Sequence, residues 1–273
     1  MRTEVYSSDV TDEEWKILES LLPTVNYSRG GAPCTYEKRD IVNAIMYVTR
    51  SGCAWRMLPK DFPPFPIVFH YFTLWKQDGT WKRIHDALVV KVRRAAGRKA
   101  APSAGILDSQ TVKTSDQAGS RGYDAGKKIK GRKRHILVDT LGLIILMVVH
   151  AANVQDRDGA KLVLGPLETL HTQLEKIWAD ANYAGELEEW VEELRDDENK
   201  PLELEIVHRS NAQFEVLPHR WIVERSFGWM GKFRRLAKDY EIYPETSEAM
   251  IHVAMIKRML QNLAQGKTSD EVI

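Results

Sequence analysis

Apolar residues in the first hundred positions recur at three- and four-residue spacing, the period of helices packed by one face. Trp15, Ile17, Leu18, Leu21 and Leu22 follow Thr11-Asp12-Glu13-Glu14. That tetrad is a capping box, in which Thr11 caps the helix start and Glu14 reaches back to it, and Pro23 ends the helix. Ile41, Ala44, Ile45 and Val48 predict a second helix from Tyr36 to Arg50, closed by Ser51-Gly52. After a short turn through Trp55–Pro59, a third helix starts near Pro64 to Pro66, runs through Val68, Phe69, Phe72 and Trp75, and stops at Gly79. Helix, turn, helix is the order of a module whose second helix lies in the major groove of DNA, and equally of a small bundle used for packing or dimerisation. Ile67, Val68, Phe69 and Phe72 look like core, which leaves His70, Lys76 and Gln77 as polar positions on the candidate reading helix. A basic helix end at Lys91–Lys99 and the run Ala100-Ala101-Pro102-Ser103 set a domain boundary near residue 100.

Beyond it the apolar residues bunch into short runs, the pattern of strands. Gly105–Val112 is one, Lys133–Asp139 a second, and Leu141-Gly142-Leu143 allows a tight turn into a third, Ile144–His150. An antiparallel three-strand meander is expected. A helix from about Asp158 to Leu170 leads to a strand Lys176–Ala179 that stops at Asp180. The segment Arg220–Trp229 reads as strongly helical. Strands followed by alternating helix and strand give an α/β domain with a mixed sheet over 101–273, preceded by a helical domain, 1–100, for DNA binding or dimerisation.

A chain of 273 residues with 43% apolar and 28% charged residues has room for two cores and is not a disordered or fibrous protein. The longest apolar run, Leu143–Val149, is far short of the roughly 20 residues of a membrane helix. The start at Met1-Arg2-Thr3-Glu4-Val5 has no apolar leader, so a cytoplasmic protein is expected. Cys34 and Cys53 are too few for a paired-cysteine zinc site or a disulfide framework. The net charge of +1 hides a segregation: residues 166–217 carry −10, and the rest of the chain +11. Near-neutrality therefore does not exclude a nucleic-acid partner; the acidic segment, densest from Glu186 to Glu205, reads as a face turned away from it.

Three carboxylates stand where chemistry could be built. Asp108 and Asp180 follow apolar strand residues, and strand ends of an open α/β sheet hold side chains in fixed directions. Glu224 sits among Ile222, Val223 and Phe227, where a carboxylate needs a cation. Oxygen donors without histidine suit Mg²⁺ or Mn²⁺, and a pair of such ions activates a nucleophile and stabilises the leaving oxygen of a phosphodiester. Taken singly, each acid has a plainer reading: Asp108 as a turn former, Asp180 as a cap, Glu224 as an ion pair with Arg220 one turn earlier. Asp139 and Asp156 read as turn and helix-start residues. The run 119–135, read as a loop, carries Arg121, Lys127, Lys128, Lys130, Arg132, Lys133 and Arg134 against Asp124 alone, a composition that attracts a phosphate backbone. A second basic run on the helix of Glu224 adds Lys232, Arg234 and Arg235, with Trp229 and Phe233 interleaved as core or as base-stacking rings.

At these residues the chain resembles bacterial insertion-sequence transposases of the DDE class. The resemblance runs from Thr11 to about Leu260. It is carried by Gly52-Cys53-Ala54-Trp55-Arg56-Met57-Leu58-Pro59, Asp108-Ser109-Gln110-Thr111-Val112-Lys113-Thr114 and the stretch Gly126–Asp139. Trp178-Ala179-Asp180-Ala181-Asn182-Tyr183 and Val223-Glu224-Arg225-Ser226-Phe227-Gly228-Trp229 carry it further. It implies an RNase H-like mixed sheet flanked by helices, behind a small all-α helix-turn-helix-like domain. It also implies Asp108, Asp180 and Glu224 as catalytic, metal-binding residues for two Mg²⁺ or Mn²⁺ ions, with Arg220 near the reacting DNA. The implied activity is binding of terminal inverted repeats in double-stranded DNA by a homodimer or larger assembly, metal-dependent cleavage, and joining of the 3′-OH to target DNA. A nuclease without strand joining and a non-catalytic DNA-binding remnant are the alternatives. Two positions depart from related transposases: Leu217 stands where they carry a tyrosine and Gly231 where they carry a basic residue.

Overall fold

Every apolar run after residue 100 named above becomes a strand. A computed structural model describes residues 5–24, 35–116, 119–170, 173–194, 202–208 and 219–266. Cys34, Leu217 and the part of the acidic segment at 195–201 lie outside these. The described residues pack as two units, one drawn from Met1–Ala96, Lys232–Ala237 and Ala249–Ile273, the other from Gly97–Gly231 and Lys238–Glu248. Where 1–100 and 101–273 were expected as contiguous domains, the described residues from Ala249 to Gly266 group with the first helices.

The first unit contains α1 (Asp12–Glu19), α2 (Lys38–Ser51), α3 (Phe65–Gln77) and α4 (Thr80–Ala95), together with the part of the last helix, Pro244–Ala264, that follows Glu248. The capping box forms as read: Glu14 N–H donates to Thr11 Oγ1 at 3.2 Å, and Thr11 N–H to Glu14 Oε2 at 3.0 Å. Glu14 is also buried against Lys257 Nζ at 2.6 Å, so the cap residue ties the first helix to the last. Gly52 ends α2 in the left-handed conformation, φ 74°. Between α2 and α3 lies Gly52–Pro64, with a 3₁₀ turn at Trp55–Met57 inside the expected turn, and α3 starts at Phe65, within the expected Pro64 to Pro66.

The second unit holds a mixed sheet of β1 (Ala104–Lys113), β2 (Gly122–Asp124), β3 (Ile129–Asp139), β4 (Ile144–Ala151), β5 (Lys176–Asp180) and β6 (Glu203–Val207). β3 runs antiparallel to both β1 and β4, which is the expected meander; β5 runs parallel to β1, and β6 parallel to β5. Helices α5 (Asp156–Leu164) and α6 (Glu186–Glu193) build one core with the sheet, through Val163, Leu164, Leu187 and Val191 against Leu107, Leu137 and Ile177. A third helix, α7 (Arg220–Gly231), sets Val223 beside Ile106 and Asp108, which share the alternate side-chain direction of β1. Three antiparallel strands continued by two parallel ones, with helices against the sheet, form the RNase H-like arrangement.

The basic run 119–135 is not one long loop. β3 starts at Ile129, so Lys130–Arg134 are strand residues, and Arg132, Lys133 and Arg134 are buried. The second basic run is likewise not on the helix of Glu224: α7 ends at Gly231, and Arg234–Leu236 form a separate 3₁₀ turn.

Candidate active site

β1 and β5 are paired in parallel with Ala104 opposite Lys176, Gly105 opposite Ile177 and Ile106 opposite Trp178. Carried two residues on, that register sets Asp108 beside Asp180. Neighbouring strands lie about 4.8 Å apart, so the two carboxylates form a close pair where β5 ends. Beyond Asp180 the chain turns through a 3₁₀ segment, Ala181–Tyr183, whose start is capped by Asp180 Oδ1 accepting Asn182 N–H at 2.9 Å. The cap reading of Asp180 and its place in the pair are both real.

Glu224 enters from α7. That helix is seated by its opposite side: Ser226 Oγ donates to Gly142 O at 2.8 Å, and Arg225 Nη2 to Leu141 O at 3.1 Å. Gly142 has φ 78°, and a Cβ there would come within 2.8 Å of Ser226 Oγ, so the β3–β4 turn needs glycine to receive α7. Asp139 builds the same turn, its Oδ1 accepting Leu141 and Leu143 N–H at 2.9 Å each, as its turn reading anticipated. At the start of α7, His219 stacks on Trp178 with ring centroids 4.3 Å apart. Neighbouring Arg220 then reaches both ways: Nη1 lies 3.3 Å from Asp180 Oδ2 and Nε 3.2 Å from Glu224 Oε1. Glu224 is exposed rather than enclosed, since Ile222, Val223 and Phe227 turn inward while it faces out one turn beyond Arg220.

Burial pushes the Asp108 carboxyl up to about 6, with the negative Asp180 adding to the rise; the Ser109 N–H bond and the charges of Arg220 and Lys127 pull the other way. A carboxylate held off its ordinary value by burial and a like charge is short of positive charge, and such a pair favours an added cation. Arg220 supplies part of it, but on the side of Asp180 and Glu224. Among the described residues no three His, Cys, Asp or Glu side chains converge as one metal site. The all-oxygen donors Asp108 and Asp180 fit a hard divalent ion, and Glu224 is the next donor, one guanidinium away.

The cations divide into two groups. Arg121, Lys127, Lys128, Lys130, Lys232 and Arg234 are exposed and open to an anionic partner. Arg132 is fully buried: Nη1 meets Asp239 Oδ2 at 3.2 Å and Glu241 O at 2.8 Å, Nη2 donates to Ile242 O at 2.6 Å and Nε to Ser120 O at 2.8 Å. Lys133 Nζ is spent on Asp156 at 2.8 Å, and buried Arg134 donates to Gln110 Oε1 at 3.4 Å. Arg235 is buried with Nη1 on Cys53 O at 3.2 Å. Expected as DNA contacts, these four are interior residues, because a strand or a packed turn consumes their donors. Trp229 and Phe233 are buried too, which makes them core rather than base-stacking rings.

The sequence reading passed over a buried chain beside the aspartates. Tyr183 OH lies 2.9 Å from His135 Nε2, His135 Nδ1 2.8 Å from His150 Nε2, and His150 Nδ1 2.9 Å from Ala151 O. A carbonyl only accepts, so with both imidazoles neutral every proton points toward Ala151 and the phenol donates to His135. Gly159 on α5 leaves room for these rings; a Cβ there would fall 2.5 Å from His135. Isolated histidines on apolar strands gave no spacing signal for this chain.

A family model described as the transposase DDE domain matches residues 99–256, more than half of the chain and all three carboxylates. The chain belongs to the DDE transposase family. An IS4/5-family transposase model matches residues 10–85, in the helical region that precedes this domain. A curated relative, the uncharacterized 16.2 kDa protein of insertion element IS402 from Burkholderia cepacia, is 31% identical over 90 residues. That match takes in 32% of this chain and 61% of the relative. No solved structure matches. Membership of an insertion-sequence transposase family of the DDE class agrees with the RNase H-like sheet, and among the described residues no helix is long and apolar enough to cross a membrane.

Proposed function

We propose that this transposase binds the terminal inverted repeats of its element as a homodimer or larger assembly, cleaves the DNA with Mg²⁺ or Mn²⁺, and joins the exposed 3′-OH to target DNA, acting at the nucleoid. The observation that carries this reading is Asp108 set beside Asp180 with Arg220 spanning from Asp180 to Glu224, inside the segment that matches the transposase DDE domain. Asp108 and Asp180 would hold divalent metal, with Glu224 completing a site for two ions. Bound there, the ions would supply Lewis-acid activation of the attacking oxygen and stabilisation of the leaving one.

The chain's own groups do the rest. Asp108 keeps a proton up to about pH 6 in the metal-free protein and surrenders it as positive charge arrives. Arg220 places a fixed charge over Asp180 and Glu224, where it offsets their repulsion for a DNA phosphate. Exposed Arg121, Lys127, Lys128 and Lys130, and Lys232 and Arg234 on the other unit, would add backbone attraction without reading bases.

The test is strand joining with pre-cut element ends. Incubated with Mg²⁺ and plasmid target, the protein is expected to give covalent end-to-target products. Cleavage of uncut ends without any joined product would make it a nuclease of the same fold; binding with neither reaction would make it a DNA-binding remnant.

A further inference from the structure

We propose that a second cavity in the catalytic unit, walled by Lys127, Arg157, Asn153 and Asn182, is a subsite for a backbone phosphate of the DNA strand whose neighbouring phosphate meets the carboxylate pair. This inference rests on the transposase reading.

The cavity measures about 690 Å³ and its walls are polar and charged, unlike the mainly apolar pockets that take small organic ligands. Its acids are already committed. Asp124 Oδ2 accepts Thr111 Oγ1 at 2.6 Å and its Oδ1 accepts Lys127 N–H at 3.0 Å. Asp156 Oδ1 accepts Lys133 Nζ at 2.8 Å and Ser109 Oγ at 3.2 Å. Lys133, the buried cation of the wall, is thereby neutralised. Two exposed cations remain. The Lys127 ammonium donates to uncharged oxygens of Ser109, its carbonyl at 3.1 Å and its Oγ at 3.5 Å, and has no carboxylate at ion-pair distance among the described residues, although Asp108, Asp124 and Asp156 feel its charge. Arg157 makes no ion pair with any described residue.

The position ties the cavity to the reacting strand. Lys127 is held on Ser109, next to Asp108. Asn182, also lining the cavity, donates its backbone N–H to Asp180 Oδ1 at 2.9 Å. The Arg157 guanidinium lies beside Gly185, the residue before α6, where a Cβ would sit in ordinary contact 3.6 Å from Arg157 Nη1 and a φ of 102° favours glycine. A strand leaving the aspartates past Asn182 therefore enters a cavity lined by one ammonium and one guanidinium. The amides of Asn153 and Asn182 add donors that suit phosphate oxygens. No base-specific pair of groups is assembled here, so the subsite positions the strand and does not read sequence.

The experiment measures binding of the full chain to a 30-bp duplex of arbitrary sequence and to one carrying an element end, across a salt series. Arg157→Ala and Lys127→Ala are each expected to weaken both duplexes by the same factor, five- to tenfold near 0.1 M salt, and to reduce the slope of log K against log salt by about one. Arg157→Lys should restore the slope, because a point charge suffices. Thermal unfolding of each variant checks that the fold is kept. If wild-type protein binds DNA and both alanine variants keep its slope, the subsite is overturned while the transposase reading stands. Loss confined to one sequence also overturns it, as does inorganic phosphate alone raising the melting temperature of wild type but not of Arg157→Ala, since the cavity would then hold a free anion. Failure of the wild type to bind any duplex would instead sink the transposase reading.

Discussion

The Arg220 guanidinium lies 3.3 Å from the Asp180 carboxylate, with Asp180 on a strand and Arg220 on the first turn of a helix that reaches it from beyond β6. The same guanidinium holds Glu224, so one cation sets two of the three carboxylates relative to each other. Arg220→Gln removes that charge and keeps a side chain of similar length. DNA cleavage is expected to fall roughly 100-fold, the usual scale for losing one charge-stabilising donor from a reacting centre, with Arg220→Lys recovering part of it. Single-turnover cleavage at saturating DNA checks this; an unchanged rate would remove Arg220 from the site.

The raised Asp108 carboxyl ties metal binding to pH. With its value pushed up to about 6, the metal-free protein carries a proton there at pH 5 and little at pH 7.5. Cation binding must displace that proton, so Mg²⁺ affinity should fall about tenfold for each pH unit below 6 and be nearly flat above pH 7. Titration calorimetry at pH 5.5 in two buffers of different ionisation heat should show about three-quarters of a proton released per site. Asp108→Asn should release none.

Arg132 and Lys130, two residues apart on β3, separate a structural cation from an available one. Arg132 is buried with its donors on Ser120, Asp239, Glu241 and Ile242, so Arg132→Ala orphans a buried carboxylate and should cost on the order of 3–5 kcal/mol. Lys130 is exposed, and Lys130→Ala should leave stability within about 0.5 kcal/mol while weakening DNA binding. Denaturant unfolding and salt-dependent binding on the two variants should give opposite profiles.

His135 and His150 are held neutral, His135 mainly by burial and then by the neighbouring ring, His150 mainly by burial, so their values lie below the ordinary 6.5 of an unfolded histidine. Their contribution to stability is whole above about pH 6.5 and is lost as pH falls, because the unfolded chain takes up protons that the folded chain refuses. The melting temperature of the wild type should therefore drop between pH 7 and pH 5. A variant with Gln at both positions should start lower and decline less steeply. Parallel curves would exclude this source of acid sensitivity.

The features legible in the sequence were those written in neighbouring residues. Thr11 and Glu14 are three apart and cap as read. Asp180 ends its strand as expected, whereas Asp108, expected at a strand end, lies inside β1, which continues to Lys113 because pairing with β3 extends it. The basic run was misread because a charge pattern does not report what lies across the sheet: Arg132 meets Asp239 from 107 residues away. Gly231 was a stop signal that the helical reading of the basic run passed over: α7 ends there, and Lys232–Ala237 group with the first unit. Tyr183, His135 and His150 meet only through sheet register. Arg157 and Asn182, 25 residues apart, line one cavity only through the fold.

The central claim is that Asp108, Asp180 and Glu224 act together on a DNA phosphodiester. Its most direct test is single-turnover cleavage of a duplex carrying the element end, in Mg²⁺, by wild type and by Asp108→Asn, Asp180→Asn and Glu224→Gln, with DNA affinity measured on the same preparations. Each variant should bind DNA within about threefold of wild type and cut at least 1,000-fold more slowly, on the scale of removing a group that catalysis depends on. Cleavage at the wild-type rate by any one of the three would contradict the account.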